Sequence, residues 1–225
     1  MDNIKQFITL INKCETDEDI KKVVDGIVDK LSSEKKYNQE EIGLHLGGRA
    51  HNHGFCDSFV TPDIKIKWDN WESGYHIYDR DYLYDFAKII KKQNINENIN
   101  PLRLSLLVGR YLEYYFKRPS HNNDYRGKIL EEYSRLHAEE FYKSHNIPLQ
   151  GEFTPEQQMD ICGDFPITVF KGTGCAKCCE WSLLAQNLLK MIGFDSICLF
   201  GYAMNDGKTE SHVWNVIRLG KIKIF

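Results

Sequence analysis

Three thiols stand close together at Cys175, Cys178 and Cys179, in a turn punctuated by Gly172 and Gly174. Immediately after them Trp181, Leu184, Ala185, Leu188 and Ile192 recur at helical spacing, and Gly193 is a natural stop. Cys178 and Cys179 therefore fall in or beside the first turn of a helix. Unpaired backbone N–H groups and the positive end of the helix dipole favour an anion there, so a thiol ionises below its usual pKa of about 8.5. Further along, His212 opens the strand-like run His212-Val-Trp-Asn-Val-Ile217. An ionisable thiol and a histidine are the two parts of a nucleophile–base pair, in which thiolate attacks a carbonyl and imidazole handles the protons.

The same residues admit other chemistry. Ile167–Phe170, then Cys175-Ala-Lys-Cys178, then a helix, mimics the strand, Cys-x-x-Cys and helix of a thiol redox protein. No proline follows Pro166 to take the place where such proteins carry a cis-proline. The three thiols, completed by His51, His53 or Cys56, can also ligate a metal. The run His51-Asn-His-Gly-Phe-Cys56 lacks a second pair at zinc-finger spacing and reads better as a loop, so neither a metal nor a cofactor is expected. A non-catalytic binding module is the remaining class. Cys14, Cys162 and Cys198 read as small buried hydrophobes. Glu180 is an acidic residue favoured in a first helical turn whatever its role, and Trp181 and Trp214 read as packing residues.

Composition narrows the partners. A net charge of -3 provides no basic field for nucleic acid and no polybasic patch for a membrane surface. No apolar run approaches the roughly 18 residues of a spanning helix, and the start Met-Asp-Asn-Ile-Lys-Gln lacks the layout of a secretory signal. Seven cysteines, an odd number, fit free thiols in a reducing cytoplasm. The expectation is a cytoplasmic protein that acts on a protein or peptide, with no nucleic-acid or membrane partner.

Around the thiols, periodicity predicts the scaffold. Ile4, Phe7, Ile8 and Ile11 make one helical stripe over 3–13; Ile20, Val23, Val24, Ile27 and Leu31 make a second over 17–32, capped by Thr16 or Asp17. Residues 40–50 hold room for a short helix, and Ile64 to Trp68 alternates as a strand. An aromatic patch, Tyr75, Tyr78, Tyr82, Tyr84 and Phe86, leads into a helix around 80–93. Pro101 opens another, with Leu104, Leu107, Val108, Tyr111, Leu112 and Tyr115 inward. Residues 125–145 form a further helix, with Ile129, Tyr133, Leu136 and Phe141 inward and His137 and His145 solvated. Asn146 to Pro155 reads as a linker, and 155–162 as a short helix. Beyond the cysteine helix, Ser196 to Met204 and Ser211 to Leu219 read as strands joined at Asn205-Asp-Gly207, with Lys221 to Phe225 beginning a third. The layout is α+β, with a mainly helical region over 1–150 and a catalytic core over 151–225.

The segment Lys177-Cys-Cys-Glu-Trp-Ser182, with Gly193-Phe194 fifteen residues after Cys178 and His212-Val-Trp214 later, resembles the transglutaminase-like superfamily. That papain-type group includes transglutaminases, related bacterial cysteine peptidases and the peptide N-glycanases. The similarity spans roughly 167–225 and implies a papain-like core of helix and antiparallel sheet. Aligning Gly193 with the family's helix-ending glycine selects Cys178 as nucleophile, and His212 takes the general-base position. The implied reaction is thiolate attack on an amide, a thioester intermediate, and release to water or an amine. The family's paired upstream Cys-x-x-Cys zinc ligands have no counterpart here. Nor has its aspartate on the strand after the histidine: a hairpin turning at Leu219-Gly220 sets the position opposite His212 near 226 or 227. The expectation is therefore a C-terminally truncated core whose missing residues carry the orienting acid.

Overall fold

The computed structural model describes residues 2–33, 55–56, 59, 66–68, 71–76, 80–117, 125–129, 132–133, 164–205, 208–219 and 222–224. Among the described residues, helices run over Asp2–Lys13 (α1), Asp17–Ser33 (α2), Asp81–Lys92 (α3), Pro101–Phe116 (α4) and Cys178–Ile192 (α5), with further helical residues at 125–129 and 132–133. The described strands run over Phe55–Cys56 (β1), Ile66–Trp68 (β2), Trp71–His76 (β3), Asp164–Pro166 (β4), Asp195–Asn205 (β5), Lys208–Leu219 (β6) and Ile222–Ile224 (β7). The protein is α+β.

The helices form where stripe and cap agree. All four stripe residues of α1 are buried. At the start of α2, the Thr16 hydroxyl accepts the Asp19 N–H at 3.1 Å and the Asp19 carboxylate accepts the Thr16 N–H at 3.0 Å, a reciprocal capping box. Asn100 caps α4 by accepting the Leu102 N–H at 2.9 Å, with Pro101 in the first turn where its missing N–H costs nothing.

Helix α5 is the axle. It packs against β5 and β6 on one side and against α1, α2, α3 and α4 on the others. Leu183, Leu184, Leu188 and Ile192 are each fully buried within a core cluster that also contains Ile8, Val24, Phe86 and Leu112. A helix buried on so many sides must satisfy its polar side chains internally. Asn187 donates to the Tyr82 hydroxyl at 2.8 Å, and Tyr111 donates its own hydroxyl to the Tyr82 carbonyl at 2.9 Å, so α3, α4 and α5 share one buried polar knot. On the sheet side Gln186 donates to the Ser196 carbonyl at 3.1 Å.

The sheet beneath α5 has the order β1-β5-β6-β7, all neighbours antiparallel. Its centre is the long β5–β6 hairpin, in which Asn205 pairs with Lys208 around the expected turn and Gly201 pairs with His212. A second sheet, β2-β3-β4, joins β3 to β4 in parallel, Gly74 opposite Asp164.

Several expectations change. Ile167–Phe170 is a 3-10 helix, so the strand of the redox reading is absent; the strand there is β4, just upstream. Phe55–Cys56, read as part of a loop, pairs with β5, and Trp71–His76 within the aromatic approach is a strand. Strands β6 and β7 pair with Leu219 opposite Ile222 and Ile217 opposite Ile224, so the register lies further along the chain than a reversal at Leu219-Gly220 would set it. The 40–50 helix, His51, His53, most of 125–145 including His137 and His145, the 146–155 linker, the 155–162 helix and Cys162 lie outside the described residues. Ile129 and Tyr133 pack against the core, as their spacing predicts.

Candidate active site

Cys178 is the first residue of α5, and Lys177 precedes it in extended conformation as the N-cap. The start is fixed by Glu180, whose carboxylate reaches back to accept the Lys177 N–H at 2.6 Å. The stop is fixed by Gly193, at φ +101°. The left-handed region there favours glycine, and the site leaves no room for a side chain. A Cβ on Gly193 would lie 2.7 Å from Asn3 Cβ and 2.9 Å from the Asn3 carbonyl carbon. The first turn of α1 thus lies directly on the end of α5.

The cysteine turn is tied down on its other side as well. Gly172 and Gly174, both at positive φ, donate to the carbonyls of Tyr115 and Phe116 at 2.8 and 2.7 Å, fastening the turn to the end of α4. Arg126 completes the clamp. Its guanidinium donates to the Cys175 carbonyl at 2.8 Å and to Glu180 at 2.6 Å, and lies 4.1 Å over the Phe170 ring. Glu180 is fully buried, and an unpaired carboxylate there would be costly; the bidentate reach of arginine meets both the charge and an orphan carbonyl.

The three thiols have separate fates. Cys175 and Cys179 are buried, whereas Cys178 is half-buried and reaches solvent; none of the three is in a disulfide. The Cys178 thiol is lowered from an ordinary 9.0 to about 6. Donation from the Cys179 thiol contributes most, and burial opposes it. Donation from the Val213 backbone N–H and the positive field of His212 lower it further, while the Glu180 charge pushes it up.

Strand alternation sets Val213, Asn215 and Ile217 toward α5, and His212 and Trp214 on the opposite face. Ser182 donates to the Val213 carbonyl and Asn215 donates to the Ser182 carbonyl, each at 3.0 Å, locking the second turn of α5 to β6. Cys178, Ser182 and Gln186 are spaced four apart, so one polar line of α5 runs along the sheet with the thiol at its end. His212 is exposed and stacks on Trp214, ring centroids 6.2 Å apart and 16° from coplanar. The structure brings His212 close enough for its charge to act on Cys178, but no hydrogen bond joins the two side chains. Asn215, the nearest amide in sequence, spends its side chain on α5 rather than on the histidine.

Among the described residues no cluster of three or more His, Cys, Asp or Glu side chains could hold a metal, so Cys175, Cys178 and Cys179 do not converge as a thiolate set. No described helix is long and apolar enough to cross a membrane.

Arg126, Ser182, Asn215 and the Val213 amide were not singled out by sequence reasoning. The four-residue spacing of Cys178, Ser182 and Gln186 was a readable signal, a polar line inside an otherwise apolar helix. Arg126 carried none, because its partner is 54 residues away. The chain matches no protein-family model, no curated protein and no solved structure.

Proposed function

We propose that the protein is a transglutaminase-like cysteine enzyme that cleaves or transfers acyl groups at amide bonds of a protein or peptide, on a papain-like arrangement of α5 against the β5–β6 hairpin. One observation carries the reading: of the three clustered thiols, the one at the first position of α5 is the one open to solvent, and it faces the strand that bears His212. The Cys178 thiolate adds to the carbonyl carbon, and the carbonyl π electrons move to oxygen. That oxyanion sits by the Cys178 N–H at the helix start, where backbone donors have no partner within the helix. Once the exposed His212 side chain swings from its stack on Trp214 toward the thiol, collapse breaks the C–N bond, the departing amine takes a proton from the His212 imidazolium, and a thioester remains on sulfur. His212, now neutral, removes a proton from water or an incoming amine, which attacks the thioester and frees the thiolate.

Labelling with a vinyl-sulfone peptide followed by peptide mapping tests the assignment. Adduct on Cys178, lost in Cys178→Ser and strongly slowed in His212→Ala, is the expected result. Equal labelling of Cys175, Cys178 and Cys179 would overturn it. A reversible Cys175–Cys178 disulfide would restore the redox reading instead.

A further inference from the structure

At the end of α5 remote from Cys178 lies a cavity of about 470 Å³, bounded by α1, α2, the α5 terminus and the start of the β5–β6 hairpin. That volume falls in the range of roughly 300–1,000 Å³ typical of small-molecule sites. Its apolar wall comes from Phe7, Leu10, Ile27, Leu31, Met191 and Phe194. Its charged groups are Lys30, Lys190, Arg218 and Asp195, and Asp195 already pairs with Arg218 at 3.4 Å. Among the described lining residues, three cations stand against one carboxylate around an apolar hollow.

Gly26 points the same way. It lies inside α2, where glycine is less stable than alanine by about 1 kcal/mol. A Cβ at this position would meet nothing within 4 Å, so packing among the described residues does not require glycine. Gly26 lines the cavity, and its missing side chain leaves open space across the face of α2. Gly193 closes the far end by holding Asn3 against α5.

We infer that this cavity binds an amphipathic anion, a medium-chain carboxylate whose chain lies along Ile27, Leu31 and Phe7 over Gly26 and whose head group meets Lys30, Lys190 and Arg218. The site stands apart from the thiol chemistry: α5 spans fifteen residues between them, about 22 Å at 1.5 Å per residue.

Calorimetric titration of the full chain with decanoate and with decylamine tests this. Saturable decanoate binding at one site per chain is expected, with decylamine weaker by about tenfold or more because its charge meets three cations. Gly26→Leu should retain the wild-type melting temperature or exceed it, leucine being the better helix former, yet weaken decanoate by about tenfold by filling the space. Lys30→Glu, an exposed change, should weaken decanoate and strengthen decylamine. Absence of saturable decanoate binding, equal affinity for the two amphiphiles, or undiminished decanoate affinity in both variants would each overturn the inference.

Discussion

At Cys178 the lowered thiol pKa links protonation to folding. Unfolded, the thiol titrates at its ordinary 9.0; folded, at about 6. Between those values the unfolded chain carries a proton that the native protein does not, so this group makes stability rise with pH across the window. The contribution is fully present above 9 and fades as pH falls through 6. Urea midpoints measured at pH 5.5, 7 and 8.5 should therefore climb more steeply for wild type than for Cys178→Ser. Parallel profiles would mean that the thiolate is not preferentially held by the fold. Cys14 works in the opposite sense: burial raises its thiol, so it stays protonated in the folded protein and favours unfolding only in alkali.

Among the elements, the Arg126 clamp makes a sharper demand. Replacing Arg126 by Leu leaves Glu180 buried without its partner and should cost about 3–5 kcal/mol in denaturant unfolding. The same variant leaves the Glu180 charge uncountered beside the thiol, so the pH midpoint of Cys178 alkylation should move up. A purely structural clamp would change the first measurement and not the second. Gly193→Ala tests the other end of α5. An alanine Cβ collides with Asn3 backbone and side chain at a positive φ, and a loss of roughly 1–3 kcal/mol is expected, read as a lower melting temperature.

These elements were unequally legible. The stripes of α1 and α2, the Pro101 start of α4, the Cys178 start and Gly193 stop of α5, and the Asn205–Lys208 reversal are local signals, and local physics fixed them. Ile167–Phe170 misled because a four-residue apolar run has no period long enough to separate strand from 3-10 helix. The pairings of β1 with β5 and β3 with β4 join segments some ninety residues apart or more, and no local pattern announces them. Of the candidate site, the thiol and the strand histidine were visible as residue types. The buried counter-ion and the edge contacts at Val213 belong to the tertiary fold alone.

At the scale of the molecule, the apolar cluster is continuous from α1 to β6, crossing from the N-terminal helices into the segment that carries Cys178. Stability of the two regions is therefore shared. Phe7→Ala, far from the thiol in sequence, should destabilise by about 3–5 kcal/mol. It should also lower protection of the α5 amides in hydrogen exchange, since α1 and α5 pack directly.

The axle of this fold is made after the four helices it packs against. Ribosomes add roughly 5–20 residues per second, so on the order of ten to forty seconds separate the end of α1 at Lys13 from the end of α5 at Ile192. Through that interval α1 to α4 have no α5 to cover Ile8, Val24, Phe86 or Leu112. The nascent chain thus presents apolar helix faces until the cysteine helix emerges, and the reactive thiol arrives together with the segment that first joins them.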